Sequence, residues 1–213
     1  MVNVGILGDV SVGKTTILRL FVKFVEDKSL ESEFNLPPTQ IVKTDFSGEA
    51  TLPSKEDIKQ TKTIHPNRVV FRIGDHMHTL FAPGGDDRPL VRMGIVTVSR
   101  IARVIVAVFD MSRDLESQFE FYTAVRFIPK TIIVALNKAD LVPVKELKKK
   151  VEEFSDSITE YFKEKRKIDV AAVFVTVAEP IEGYETNNIE CAKLILECLK
   201  DDVSEPIAPA DQA

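Results

Sequence analysis

The chain has 213 residues, of which 44% are hydrophobic and 29% charged, and a formal net charge of -5. That composition suits one globular domain with a sizeable core, and the acidic balance argues against nucleic acid as the main partner. The most apolar stretch, residues 101–109, is interrupted by Arg103 and is too short to span a bilayer.

Apolar runs alternate with helical patterns from end to end, which predicts a mostly parallel sheet covered on both faces. Val2–Leu7 reads as the first strand. With a strand starting so early, neither a signal peptide nor an anchor helix is expected, and the expected location is cytoplasmic. Residues 13–25 read as a helix with Ile17, Leu20, Phe21, Phe24 and Val25 as its apolar stripe. A polar, proline-containing segment, 26–40, leads to a strand at 41–46. Residues 47–67 read as an inserted excursion with one short helix at 55–62. Residues 69–73 and 77–82 flank Gly74-Asp75 as a hairpin.

His76 and His78 share one face of that hairpin. The plain reading is an exposed face, the sharper one a metal pair. Further on, 89–101 is helix-like, 104–109 a buried strand, 116–127 helical and 131–136 a strand. Residues 144–166 form a long amphipathic helix whose Lys and Glu runs read as a solvated face. Residues 170–177 are the last strand, and Asn187 or Asn188 is expected to cap the last helix. Cys191 and Cys198, roughly 10 Å apart along that helix, cannot form a disulfide and read as core thiols. The chain is expected to be one domain over 1–203 with a loose tail at 204–213; no prenylation box is present.

Two motifs carry chemistry. Gly8-Asp9-Val10-Ser11-Val12-Gly13-Lys14-Thr15 follows the first strand and opens the first helix, the context a phosphate loop requires. Loop amides from Gly8, Val10, Ser11, Val12 and Gly13 through Thr16, together with the helix dipole, suit phosphate oxygens. Lys14 adds a point charge, and Thr15 offers a hydroxyl to Mg2+. The second motif, Asn137-Lys138-Ala139-Asp140, lies at the carboxyl end of a strand, where ligands sit in such sheets. The Asp140 carboxylate can accept from both N1–H and the exocyclic amine of guanine, a donor pair adenine lacks. Asn137 can tie the two loops together, and the Lys138 stem can cover the ring.

This pair of motifs, with the order of strands and helices around them, resembles the Ras-like small GTPases. The resemblance implies a P-loop NTPase fold of three layers with a six-stranded, mostly parallel sheet. It implies binding of GTP and GDP with Mg2+, slow hydrolysis of GTP, and a protein effector or GTPase-activating partner. Pro38-Thr39, followed by Thr44, resembles switch I, where one threonine completes the Mg2+ shell; Thr39 is favoured because of Pro38, with Thr44 as its rival. Val177-Ala178-Glu179 occupies the place of the family's Ser-Ala-Lys motif, with the Ala178 amide facing guanine O6.

The third family motif, Asp-x-x-Gly followed by a water-orienting Gln or His, is altered. Gly84 fits the glycine that meets the γ-phosphate, but Phe81 stands at the Asp position and Gly85 at the Gln position; Val10 replaces a glycine. The run Leu80-Phe81-Ala82-Pro83-Gly84 resembles the MglA-like and signal-recognition-particle-receptor-β-like branch. Slow intrinsic turnover follows. Arg88 or Arg92 is a candidate to offset transition-state charge in cis, and Asp86 or Asp87 a candidate to position water. The rival to a GTPase switch is a catalytically weak nucleotide-binding scaffold.

Overall fold

A computed structural model describes residues 1–52 and 60–200, with side chains outside 49–62. In chain order the elements are β1 (Val2–Leu7), α1 (Lys14–Glu26), α2 (Ser29–Phe34), β2 (Thr39–Asp45), β3 (Glu49–Leu52) and β4 (Gln60–Thr63). Then come β5 (Asn67–Ile73), β6 (His76–Ala82), α3 (Pro89–Ile101), β7 (Val104–Asp110), α4 (Leu115–Ala124) and β8 (Thr131–Asn137). The last are α5 (Val144–Tyr161), β9 (Asp169–Val175) and α6 (Glu185–Glu197). The strands near-saturated in Val, Ile and Ala are the central ones, as burial on both faces demands.

The main sheet has seven strands in the order β2-β5-β6-β1-β7-β8-β9. The four pairings from β6 through β9 are parallel, while β2–β5 and β5–β6 are antiparallel. The sheet is therefore wider than the six strands the family resemblance implied, because the β5–β6 hairpin and β2 all join it. Apolar side chains fill both faces. Ile17, Phe21, Leu194 and Ile195 of α1 and α6 pack on one, and Val91, Ile95, Tyr122 and Ile158 of α3, α4 and α5, with Phe162 just past α5, on the other. Each such burial contributes about 1.5–3 kcal/mol before chain entropy.

Several sequence expectations need correction. The polar segment 26–40 contains α2, held by the buried Leu30. Of the helix expected at 55–62, residues 60–62 lie in β4, which pairs with β3 as a separate hairpin; residues 53–59 lie outside the described residues. His78 is fully buried, its ring 5.4 Å from that of Phe71, so the hairpin face is not exposed there. The α5 pattern closes at Tyr161 in a wider π turn over Phe162–Arg166, seated by the buried Phe162. α6 begins at Glu185, two residues ahead of the expected caps, so Asn187 and Asn188 point back at the sheet. Both cysteines are free and buried, and burial pushes the Cys191 thiol up to about 12. The tail 204–213 lies outside the described residues. Among the described residues, no helix is long and apolar enough to cross a membrane.

Candidate nucleotide site

β1 ends beneath the loop that carries the first motif. Ser11 and Gly13 have φ of 61° and 98°, and this left-handed pair curls the chain so that α1 starts at Lys14 with its N-terminus facing the loop. At Gly13 a side chain has no room: a Cβ there would fall 2.2 Å from Asn137 Nδ2. Lys14 is buried and turned back on the loop, donating from Nζ to the carbonyls of Gly8 (2.8 Å) and Asp9 (2.6 Å). Burial lowers its pKa to about 7, against the opposing pull of Asp9 and Asp86. Arg113, just past β7, clasps the flank of the loop by donating to Asp9 Oδ2 (2.5 Å) and the Val10 carbonyl (2.9 Å). Beneath it, the buried Tyr122 hydroxyl donates to the Leu7 carbonyl (3.0 Å) and lies 3.1 Å from that of Val108.

A cavity of about 450 Å³ opens over this loop. Lys14, Thr15, Thr63, Gly84 and Asp86 line it toward the phosphate loop, and Ala178, Glu179 and Pro180 line it farther along. Thr15 and Thr63 each bring a hydroxyl to this lining and Asp86 a carboxylate, oxygen donors that suit a hard cation sharing its shell with phosphate oxygens. Among the described residues no cluster of three or more His, Cys, Asp or Glu could hold a metal by itself, so Thr15 would hold it jointly with the ligand.

The register puts Thr39 at the wrong end of the sheet. It pairs with Ile73, whereas the site end of β5 is Asn67, opposite Ala82. Six residues of strand at about 3.4 Å each put Thr39 roughly 20 Å away. Its hydroxyl and amide instead donate to Glu31 Oε1. Thr44, on β2 beyond β5 and paired with Val69, does not line the cavity either. Among the described residues beyond the phosphate loop, the threonine that lines it is Thr63, at the end of β4. Its carbonyl abuts Gly84 so closely that a Cβ on Gly84 would fall 2.3 Å away. Sequence reading missed it because it lay in the excursion, where no local pattern marks it.

The segment after β6 is pressed on the phosphate loop. A Cβ at Gly85 would come within 2.5 Å of the Asp9 carbonyl oxygen, so the water-orienting Gln of the resemblance has no room in this arrangement. Arg88 does not line the cavity. It grips Asp86 bidentately, Nε to Oδ1 at 2.8 Å and Nη2 to Oδ2 at 2.5 Å, while Asp86 itself lines the cavity. Arg92 and Asp87 line a neighbouring cleft with Arg113.

The two motif loops meet. Asn137 is buried and donates from Nδ2 to the Val12 carbonyl at 2.9 Å, while its Oδ1 accepts from Thr176 Oγ1 at 3.1 Å. Lys138, at φ 62°, reaches the Asp110 carboxylate at 2.6 Å. Asp110 is buried; burial alone would raise its pKa, but hydrogen bonds from Lys138 and Ser112 outweigh that and hold it below the usual carboxylate range. Gln118 fixes Asp110 in turn, accepting from its amide and donating to its carbonyl. Asp140 sits on the short 3₁₀ turn Ala139–Leu141, half-exposed. Lys138, Asp140 and Asn137 do not line the cavity itself. Val177 and Ala178 are buried and Glu179 is exposed; Asn188 donates to the carbonyls of Val177 and Glu179, setting that loop. Asp110 and Gln118 were not anticipated and Asn188 was read only as a helix cap, although an acid at a strand's carboxyl end is a readable sign.

The family model described as the elongation factor Tu GTP binding domain matches residues 1–201. Among solved structures, translation elongation factor SelB from Methanococcus maripaludis, in complex with the GTP analogue GppNHp, is similar. Its TM-score is 0.56 at 18% identity, covering 99% of this chain and 36% of that one. A mutation variant of SsGBP gives a TM-score of 0.52 at 16% identity, covering 94% of this chain and 57% of that one. At such identities the likeness is one of fold. The chain spans about a third of the SelB chain and little more than half of the SsGBP chain. No curated protein matches in sequence. None of these findings points to the MglA-like or receptor-β-like branch. The chain belongs to the family of elongation factor Tu GTP-binding domains, P-loop proteins of α/β fold whose membership implies a guanine-nucleotide switch.

Proposed function

We propose that this protein is a guanine-nucleotide switch that binds GTP and GDP with Mg2+ and hydrolyses GTP slowly, with a protein partner providing the catalytic help that Gly85 cannot. The observation that carries this reading is the 2.9 Å bond from Asn137 Nδ2 to the Val12 carbonyl. It ties the loop that would read guanine to the loop that would hold phosphate. On arrival of a nucleotide, Lys14 leaves the Gly8 and Asp9 carbonyls for phosphate oxygens, and the amides from Val10 to Thr16 complete the cradle. Lys138 keeps its stem along the base, held by Asp110, and Asp140 accepts from the guanine edge. The Ala178 amide meets O6.

Thr15 and Thr63 are the residues that would hold Mg2+. The ion, when bound, neutralises charge on the phosphates. Thr63 and the Gly84 amide sense a γ-phosphate, so the β4 end and the segment 84–88 change with nucleotide state. α3 follows that segment and presents Leu90, Met93 and Val96 to solvent, a face a protein partner can read. Asp86, which lines the cavity, is an acid that could position a water for attack on the γ-phosphate.

A scaffold that binds nucleotide without useful turnover remains the rival reading, favoured by the close packing of Gly85 on Asp9. Two measurements test the proposal. Chromatography of the denatured, purified protein should release GDP or GTP, or the protein should bind added GDP. Single-turnover GTP hydrolysis should be slow alone and faster with cell extract. No acceleration under any condition favours the scaffold, and no guanine-nucleotide binding refutes both.

A further inference from the structure

The family pattern anchors the metal through an acid that this chain lacks; Phe81 stands there. The Phe81 side chain packs among the residues around Leu7 and Val91, on the sheet face away from α1. Its neighbour Ala82 faces the α1 side. The residue registered against Ala82 is Asn67, the first of β5. Asn67 is fully buried, and its Nδ2 donates to Thr15 Oγ1 at 3.0 Å. A fully buried polar side chain, from a strand 52 residues along the chain, thus meets the Thr15 hydroxyl.

We propose that Asn67 is the positioning residue for Mg2+ in this protein, holding the Thr15 hydroxyl in place of the missing acid. The inference rests on the reading of Thr15 as a metal ligand. A hydroxyl that coordinates a cation gives it one lone pair and points its proton away. An amide can serve either remaining need: Nδ2 donates to the second lone pair, or a half-turn about χ2 lets Oδ1 accept the proton. In both cases Thr15 is kept at one rotamer. What the amide lacks is negative charge, so it orients the ligand without adding attraction for the ion. Mg2+ therefore binds more weakly than it would with a carboxylate at the same place.

The test is the release rate of fluorescently labelled GDP from the full chain, measured in EDTA and across a Mg2+ titration. Wild type, Asn67→Ala and Asn67→Asp are compared. Expected is one common rate in EDTA, which reports an intact phosphate cradle. The Mg2+ concentration that half-maximally slows release should rise about 10-fold in Asn67→Ala, the lower end of typical losses for a residue behind a metal ligand. In Asn67→Asp it should fall. An unchanged midpoint in either variant overturns the proposal, as does faster release from Asn67→Ala in EDTA, which would mark Asn67 as structural only. If wild type binds GDP but Mg2+ does not slow its release, the metal role of Thr15 falls and that of Asn67 with it. If wild type binds no GDP, the nucleotide-switch reading itself fails.

Discussion

Nucleotide binding should take up a proton from solvent, and the group that gains it is Lys14. Without a ligand its ammonium is buried against two carbonyls, and burial brings its pKa to about 7. A phosphate oxygen about 4 Å away contributes about 4 kcal/mol at an effective dielectric of 20, or roughly 3 pKa units, enough to restore an ordinary lysine value. The bound form is then charged throughout the neutral range, while the free form is half neutral at pH 7. Linkage gives uptake of about 0.5 proton at pH 7 and about 0.9 at pH 8, and a Kd for GDP that rises roughly 16-fold from pH 7 to 8.5.

The assay is calorimetric titration of nucleotide-stripped protein with Mg2+-GDP in buffers of different ionisation enthalpy, which reads proton uptake directly. The same lysine affects stability with a defined sign. Its folded pKa lies below its unfolded value, so the unfolded state binds more protons between them, and the ligand-free protein gains stability as pH rises from 7 toward 10. Lys14→Met should remove that slope between pH 7 and 8.5, along with nucleotide binding. Zero proton uptake at pH 7 and 8, with a flat Kd, would refute the burial argument.

Asp140→Ala should lose two hydrogen bonds to a charged acceptor, about 1.5–3 kcal/mol each. GDP affinity should drop by about 10²-fold or more while ADP affinity stays the same, read by competition against labelled GDP. Thr63→Ala should weaken GTP binding with Mg2+ about 10-fold more than GDP binding. Thr39→Ala, at the far end of the sheet, should change neither; the reverse pattern would restore Thr39 to the site. Tyr122→Phe removes the hydroxyl that donates to the buried Leu7 carbonyl. It should cost about 1–3 kcal/mol in denaturant unfolding, with GDP affinity nearly unchanged.

Much of the molecule is legible in one dimension because its signals are local. The strand–loop–helix around Lys14 declares itself through glycine spacing and flanking periodicity. The strand ending in Asn137 declares itself through five buried apolar residues ahead of a polar turn. Helices α1, α3 and α5 follow from 3.6-residue stripes, and both cysteines follow from their place on one. What was illegible depends on register and on long-range pairing. Only the pairing of Thr39 with Ile73 reveals that this threonine lies at the wrong end of the sheet, since a strand's sequence does not say which end meets the ligand. Thr63 and Asn67 reach the Thr15 region because β5 and β6 fold back to carry them there. Asp110, Gln118 and Arg113 brace the two loops through contacts that span up to 104 residues. Periodicity determines which residues face inward. Where two distant side chains converge is set by the stacking order of strands, which no local window of sequence contains.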